Sequence, residues 1–252
     1  MSLEPWQLAL LAAAGFASGW INVIAGGGSL LTVPVMVFMG LPGPVANGTN
    51  RVAIIAQSIT AVGAFFRNGL SDFRLSATLS VAASIGAYFG AKLGVGLDGA
   101  AFNYVVAAVM VAVMLLMATG EDKTKPRPDA SSKAKNLLLG HVLMVGAGVW
   151  GGFIQIGVGF LMMPILYRVM GLDLVRVNMH KVFIALVFTT VALLVFAAEV
   201  PIAWDAGIAL AIGNALGGWM GAQATMKRGE AFIKRALIAV LAAMAVKLAF
   251  FP

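Results

Sequence analysis

Two short polar runs interrupt an otherwise apolar chain. The first is Asn47-Gly48-Thr49-Asn50-Arg51 and the second is Asn178-Met179-His180-Lys181. Each leads into a long apolar stretch, 48–66 and 179–198, so each sits at the expected start of a helix. Asn47 and Asn178 read as N-caps, because an Asn side chain accepts hydrogen bonds from free backbone N–H groups. Arg51, His180 and Lys181 then fall in the first turn or just past it. Helix N-termini favour negative charge, so cations there break a local rule twice, at matching places. A bound anion repairs it. Helix N–H groups, Arg51 and Lys181 would converge on one negative group, Arg51 with planar paired donors and Lys181 as a point charge. The competing reading is that both cations snorkel to a membrane surface.

Two glycine runs add backbone donors. Gly26-Gly27-Gly28-Ser29 precedes the apolar segment 29–39, and Gly157-Val158-Gly159 opens into 160–170. Gln57 lies one or two turns past Arg51, and Gln155 directly precedes the second glycine run; both are amides that line a pathway or join helices. Asn22 and Asn214 are weaker candidates of the same kind. Lys247 and His141 read as interface residues. A carboxylate-based proton relay has no support, because no Asp or Glu lies within an apolar segment. His180 is the side chain suited to proton coupling.

The elements that hold these residues must be membrane helices. Of 252 residues, 61% are hydrophobic and 11% charged, against roughly 25% charged in soluble domains. A soluble chain of this length cannot hide that much apolar surface. A soluble enzyme, a nucleic-acid module and a disordered chain are excluded. The net charge of +7 reads as cytoplasmic loops rather than nucleic-acid binding. Cysteine is absent, so there is neither a disulfide framework nor a thiolate metal site. Residues 1–5 lack the positive n-region of a secretory signal, and Trp6 reads as an interfacial anchor on the first helix.

Apolar segments fall at 6–24, 29–39, 48–66, 73–92 and 101–118, then at 137–155, 160–170, 179–198, 203–222 and 232–250. The charged, proline-containing stretch 119–136 separates them. The expected organisation is a first membrane repeat over 1–118, a polar cytoplasmic linker over 119–136 and a second membrane repeat over 137–252. Gly27 and Pro34 match Gly157 and Pro164 at an offset of 130; Gly40, Asn47, Gly86 and Gly90 match Gly171, Asn178, Gly217 and Gly221 at 131. Gly86/Gly90 and Gly217/Gly221 each place two glycines on one helix face, where backbones can approach closely. The second element of each half is short: 11 residues at ~1.5 Å reach about half of a ~30 Å hydrocarbon core. Short, glycine-interrupted segments at matching places in two halves point to a transporter binding site.

Loop charge sets the orientation. Loop 67–74 carries Arg67, Asp72 and Arg74, and loop 226–235 carries Lys227, Arg228, Glu230, Lys234 and Arg235. Loop 199–205 carries only Glu199 and Asp205. The positive-inside rule puts the first two and the linker inside and the third outside. Equivalent loops then face opposite sides. The expected fold is an all-α integral membrane protein of two repeats, about five helical elements each, inverted, with a short or broken second helix in each half. Four spans per half plus a re-entrant loop, with parallel repeats, is the alternative.

The glycine run followed by Ser29-Leu30-Leu31-Thr32-Val33-Pro34, then Val45-Ala46-Asn47-Gly48-Thr49-Asn50, resembles the sulfite exporter TauE/SafE family of membrane permeases. Gly157-Val158-Gly159-Phe160 with Pro164 is similar to its second copy. The resemblance covers nearly the whole chain. It implies transport of small sulfur-containing anions, such as sulfite, sulfoacetate and related sulfonates, across the bacterial inner (cytoplasmic) membrane. The implied site comprises Gly26, Gly27, Gly28, Asn47, Thr49, Asn50 and Arg51, with Gly157, Gly159, Asn178, His180 and Lys181 opposite. Val158 departs from the pattern, where the family often carries a third glycine.

The expected function is therefore a secondary transporter of a small oxyanion, not an enzyme, working by alternating access. It needs no cofactor; its partners are the anion, the bilayer and a coupling proton or sodium ion. Arg51 and Lys181 carry the anion's charge, while Asn47, Asn178, Thr49 and the glycine-run amides orient it. The alternatives are a structural or assembly protein, or a transporter of a non-sulfur anion such as a carboxylate. A cation transporter would want an intramembrane carboxylate, and a channel would want more polar residues.

Overall fold

The computed structural model describes residues 3–97, 104, 108 and 133–250, with backbone alone for 234, 237, 238 and 240–250. Segment 101–118 apart from 104 and 108, most of the linker and the Lys247 side chain lie outside the described residues. No strand occurs among the described residues. The helices are α1 (Pro5–Ile24), α2 (Ser29–Phe38), α3 (Gly43–Arg67), α4 (Phe73–Val95), α5 (Leu137–Phe153), α6 (Val158–Pro164), α7 (Leu174–Glu199) and α8 (Trp204–Phe250). A π turn, Ile165–Val169, continues α6. Three of them, α1, α4 and α7, are long and apolar enough to cross a bilayer. The chain is a multi-pass membrane protein.

The short second element of each half is present as expected. Helix α2 has 10 residues, and α6 with its π turn spans Val158–Val169. Several expected boundaries are corrected. Helices α3 and α7 begin five residues before the apolar segments 48–66 and 179–198, at Gly43 and Leu174. The expected loop 226–235 is continuous with α8, broken only at Gly229 (φ 64°, ψ −165°). Arg51 and Lys181 therefore sit two turns inside their helices, not in the first turn. Pro42 precedes α3 as its N-cap, and Asp173 caps α7, its carboxylate accepting from the N–H groups of Val175 and Arg176. The reading of Asn47 and Asn178 as N-caps is overturned. Polar residues begin a helix when the alternative is water; inside a bundle they can equally bond to neighbouring helices.

Glycine faces decide which helices touch. A Cβ on Gly86 or Gly90 would strike the carbonyl of Val145 or Val149 on α5, and one on Gly148 or Gly152 would strike Ala83 or Ala87 on α4. On α8, Gly217 faces Phe16 and Gly221 faces Trp20; in return, Gly15 and Gly19 of α1 face Leu210 and Asn214. The close approach expected of these glycine pairs is present. Position numbers rise together in both interfaces, so α4 runs in the direction of α5 and α1 in the direction of α8. Helix α3 also follows α8, since Ala203 lies beside Thr49 and Ala215 beside Thr60. Helices α3 and α7 run oppositely: Gly48 meets Phe196, while Ala61 and Phe65 pack with Met179 and Val182.

The bundle consequently has two chemically distinct ends. One gathers Arg67, Arg74, Lys135, Arg168, Arg176, Lys227 and Arg228, tied by contacts such as Tyr167 with Glu230 and Arg176 with Asp72. The other holds Glu4, Glu199 and Asp205 with Lys92, which pairs with Glu199 at 3.1 Å.

Candidate functional site

Four helix ends meet in the middle of the bundle. Helices α1 and α5 terminate there, and α2 and α6 begin there. The chain turns from α1 into α2 through Gly26 (φ 91°), and from α5 into α6 through Gln155 (φ 58°) and Gly157 (φ 73°). Positive φ costs a glycine little, whereas Gln155 holds it against a penalty. The two turns touch backbone to backbone: a Cβ on Gly26 would lie 2.7 Å from Cα and C of Gly159. A Cβ on Gly27 would enter the Phe160 ring, and one on Gly28 would strike Ser18 and Asn22. Glycine is required here for space as well as for conformation.

A helix C-terminus leaves carbonyls unpaired and carries the negative end of the helix dipole. Each of these two ends is met by a cation and an Asn from the opposite half of the chain. Arg51 Nη1 donates to Gly151 O at 3.0 Å and to Gln155 Oε1 at 2.8 Å, and Nη2 donates to Gly152 O. Asn47 Nδ2 donates to Phe153 O at 2.9 Å. These groups close the end of α5. At the end of α1, Lys181 Nζ donates to Val23 O at 2.9 Å and Asn178 Nδ2 donates to Ile24 O at 3.2 Å. Lys181 also donates to Asn178 Oδ1 at 2.7 Å. The electrostatic rule that the sequence seemed to break is thus kept, because both cations face C-termini.

The remaining expected residues are all buried around these caps. Asn50 ties α3 to α2, accepting from Thr32 Oγ1 at 2.6 Å and donating to Ser29 Oγ at 3.0 Å. Thr49 Oγ1 accepts from the Ala203 amide at 3.0 Å. Gln57 Oε1 accepts from Asn22 Nδ2 at 3.0 Å. Gln155 Nε2 donates to Thr189 Oγ1 at 3.1 Å. His180 turns to α4, its Nδ1 2.8 Å from Ser76 Oγ. So Arg51, Asn47 and Gln155 form one cluster, Lys181 and Asn178 a second, and Asn50 with Ser29 a third; Gln57, Thr49 and His180 face other partners.

Phe196, Thr189, Thr32 and Ser76 were missed. The Arg51 guanidinium carbon lies 4.4 Å from the Phe196 ring centroid, a cation–π contact. Nothing in the sequence marks a Phe among many in an apolar helix. Thr32 was discernible, since Ser29 and Thr32 share a helix face at i, i+3.

Among the described residues the two cations have no carboxylate counterpart. Arg51 is fully buried and Lys181 is 4% exposed, and the ion pairs Lys92–Glu199 and Arg176–Asp72 lie at the two ends. Arg51 Nε and Asn47 Oδ1 have no hydrogen-bond partner among the described residues. No group of three or more metal-ligating side chains occurs among the described residues.

A family model for the sulfite exporter TauE/SafE matches residues 11–248. The chain is 26% identical to a probable membrane transporter protein, ORF9, of Sinorhizobium, over 96% of this chain and 92% of that one. It is 25% identical to a probable membrane transporter protein of Haemophilus influenzae, over 96% and 94%. The Escherichia coli probable membrane transporter protein YfcA is 24% identical over 98% and 91%. No solved structure matches. A glycine-broken, cation-lined bundle centre and a family match across nearly the whole chain lead to one assignment: this protein is a membrane transporter belonging to the sulfite exporter TauE/SafE family.

Proposed function

We propose that this transporter moves a small sulfur-containing anion, such as sulfite, sulfoacetate or a related sulfonate, by alternating access around the central site. The observation that carries this reading is the pair of buried cations, Arg51 and Lys181, met among the described residues by helix ends, amides and, for Arg51, the Phe196 ring. Removing a charge from water without a counter-ion costs several kcal/mol on a rough scale, and dipoles offset only part of it. An anion entering the centre relieves that cost at both cations. The first-turn amides of α2 and α6, with Ser29, Asn50 and Gln155, supply neutral donors around it. Asn47, Asn178 and Thr49 orient the helices that carry the cations. The relatives, named as probable membrane transporter proteins, are consistent with this and their names give no substrate.

The helix directions support an inverted repeat. Helix α1 follows α3 and α8, while α5 follows α4, and α3 opposes α7. Equivalent helices α1 and α5, α3 and α7, and α4 and α8 would then run oppositely, relating the two caps by a pseudo-twofold axis. The basic end faces the cytoplasm by the positive-inside rule. In the closed conformation each cation is held by the other half's helix end; exchanging those carbonyls for the anion loosens one cap at a time.

The test is thermal unfolding of the purified protein in detergent against sulfite, thiosulfate, sulfoacetate, taurine, sulfate, acetate and chloride. A ligand at a hundred times its Kd stabilises the folded state by about 2.7 kcal/mol. One sulfur oxyanion should raise Tm selectively, and Arg51→Ala should abolish the shift; Lys181→Met serves if Arg51→Ala does not fold. A shift retained at wild-type size in both variants, or no shift with any anion, overturns the assignment. A shift with acetate alone moves the substrate to carboxylates.

A further inference from the structure

At the basic end, a narrow crevice runs between α3, α4 and α7. It is lined by Phe65, Leu70, Asp72, Ser76, Met179 and Phe183, among others. Ser76 lies at its floor and hydrogen-bonds His180, which is wholly buried. His180 Nδ1 is engaged by Ser76 Oγ; Nε2 has no protein partner. A neutral imidazole has one donor and one acceptor nitrogen, so either tautomer leaves one buried polar atom unpaired.

The equivalent place in the other half is different in one respect. Thr49 follows Asn47 by the same spacing as His180 follows Asn178. Thr49 also meets the helix opposite, at Ala203 and Gly207, and a cavity at the acidic end, lined by Leu41, Val45, Ala203 and Asp205, lies above it. Cavities thus lie near both positions, at opposite ends of the bundle, one beside a hydroxyl and the other beside an imidazole. Of the two side chains, only the imidazole is a base able to take up a proton.

We propose that His180 is a proton-binding site reached from the basic end, and that its protonation opens the crevice between α3, α4 and α7. The purpose assigned to it, coupling protons to anion movement, rests on the transport reading above. Proton uptake converts imidazole to imidazolium, which carries two N–H donors where one partner, Ser76, is in reach. The second donor is satisfied only when water enters, so the open state binds the proton more tightly and protonation favours opening. The charged groups around it are Asp72, from the start of α4, and Arg176, one turn earlier on α7; they pair with each other at 3.9 Å. Helix α3 faces the crevice with Val62, Phe65 and Phe66, which are uncharged.

The protein contains no cysteine, so Met179→Cys provides a unique reporter in the crevice. The measurement is its rate of labelling by a membrane-impermeant maleimide, without and with His180→Gln, at each pH. The ratio cancels the pH dependence of the thiol itself. It should rise about threefold to tenfold between about pH 8 and about pH 5.5, the range in which an imidazole titrates. A flat ratio overturns the proposal. Ser76→Ala should displace the midpoint of the wild-type profile; a superimposable profile also overturns it, and this variant decides if His180→Gln does not fold. In proteoliposomes with an internal pH dye, Ser76→Ala should keep anion counterflow and displace the pH dependence of anion-linked proton movement. An unchanged pH dependence in that variant refutes the coupling. Wild-type protein that shows the labelling response but no counterflow with any anion refutes the anion reading and leaves the proton site standing.

Discussion

Gly152 connects the helix packing to the site, and replacing it tests that connection. Its Cβ would lie 2.6 Å from the Ala87 Cα and 2.7 Å from the Ala87 carbonyl carbon. Ordinary contact begins near 3.4 Å, and the Ala87 carbonyl oxygen lies nearer still than these two carbons, so Gly152→Ala must part α5 from α4 by about 1 Å or more. These obstacles are backbone, which cannot rotate aside. Overpacking of this kind costs about 1–3 kcal/mol. At roughly 2–4 °C per kcal/mol for a chain of this size, Tm should fall by about 2–12 °C. The displaced segment presents the carbonyls of Gly151, Gly152 and Phe153 to Arg51 and Asn47, so anion-dependent stabilisation should weaken although no charged group has changed. Gly146, on the same helix, is the control. It is exposed, and nothing lies within 4 Å of its Cβ position. Gly146→Ala should be neutral or should raise stability by up to about 1 kcal/mol, the helix-propensity difference. The assay is thermal unfolding with and without the stabilising anion. Equal effects of the two substitutions, or Gly152→Ala with wild-type Tm and an undiminished anion shift, would refute the reasoning.

Three further outcomes are expected. Single cysteines at Leu70 and Ile202 should label from opposite sides of the membrane; same-side labelling would remove the inverted arrangement. Asp173→Ala removes the N-cap of α7 and should cost about 0.5–2 kcal/mol in unfolding experiments, whereas Asp173→Asn should be close to wild type; equal losses in the two would mean the cap is unimportant. Lys92→Met breaks an exposed ion pair and should leave Tm unchanged, because solvent and salt screen such pairs; a clear fall would assign the pair a structural role.

Composition and spacing carried much of the architecture. Hydropathy depends on the residues of one segment, so membrane character and the shortness of segments 29–39 and 160–170 were visible locally. Glycine spacing was equally local: Gly86 with Gly90 and Gly217 with Gly221 mark a helix face whatever it meets. Helix starts were less legible. Gly43-Pro44-Val45-Ala46 and Leu174-Val175-Arg176-Val177 are helical, although the polar residues after them look like caps. Asp173 was the true signal for α7: a carboxylate placed where helix N–H groups are free.

The chain by itself determined that this is a membrane protein with two short, glycine-flanked apolar segments, and which side chains are chemically unusual at its centre. It could not determine what those side chains hold. Arg51 reaches Gly151 and Gln155, 100 and 104 positions away, and Lys181 reaches Val23, 158 positions away. Such partners exist only once glycine faces have set α5 against α4 and α1 against α8, bringing two helix C-termini to the cations of the opposite half. A cation two turns inside a helix has no local partner, so its role is decided by whichever helix end the tertiary packing delivers to it.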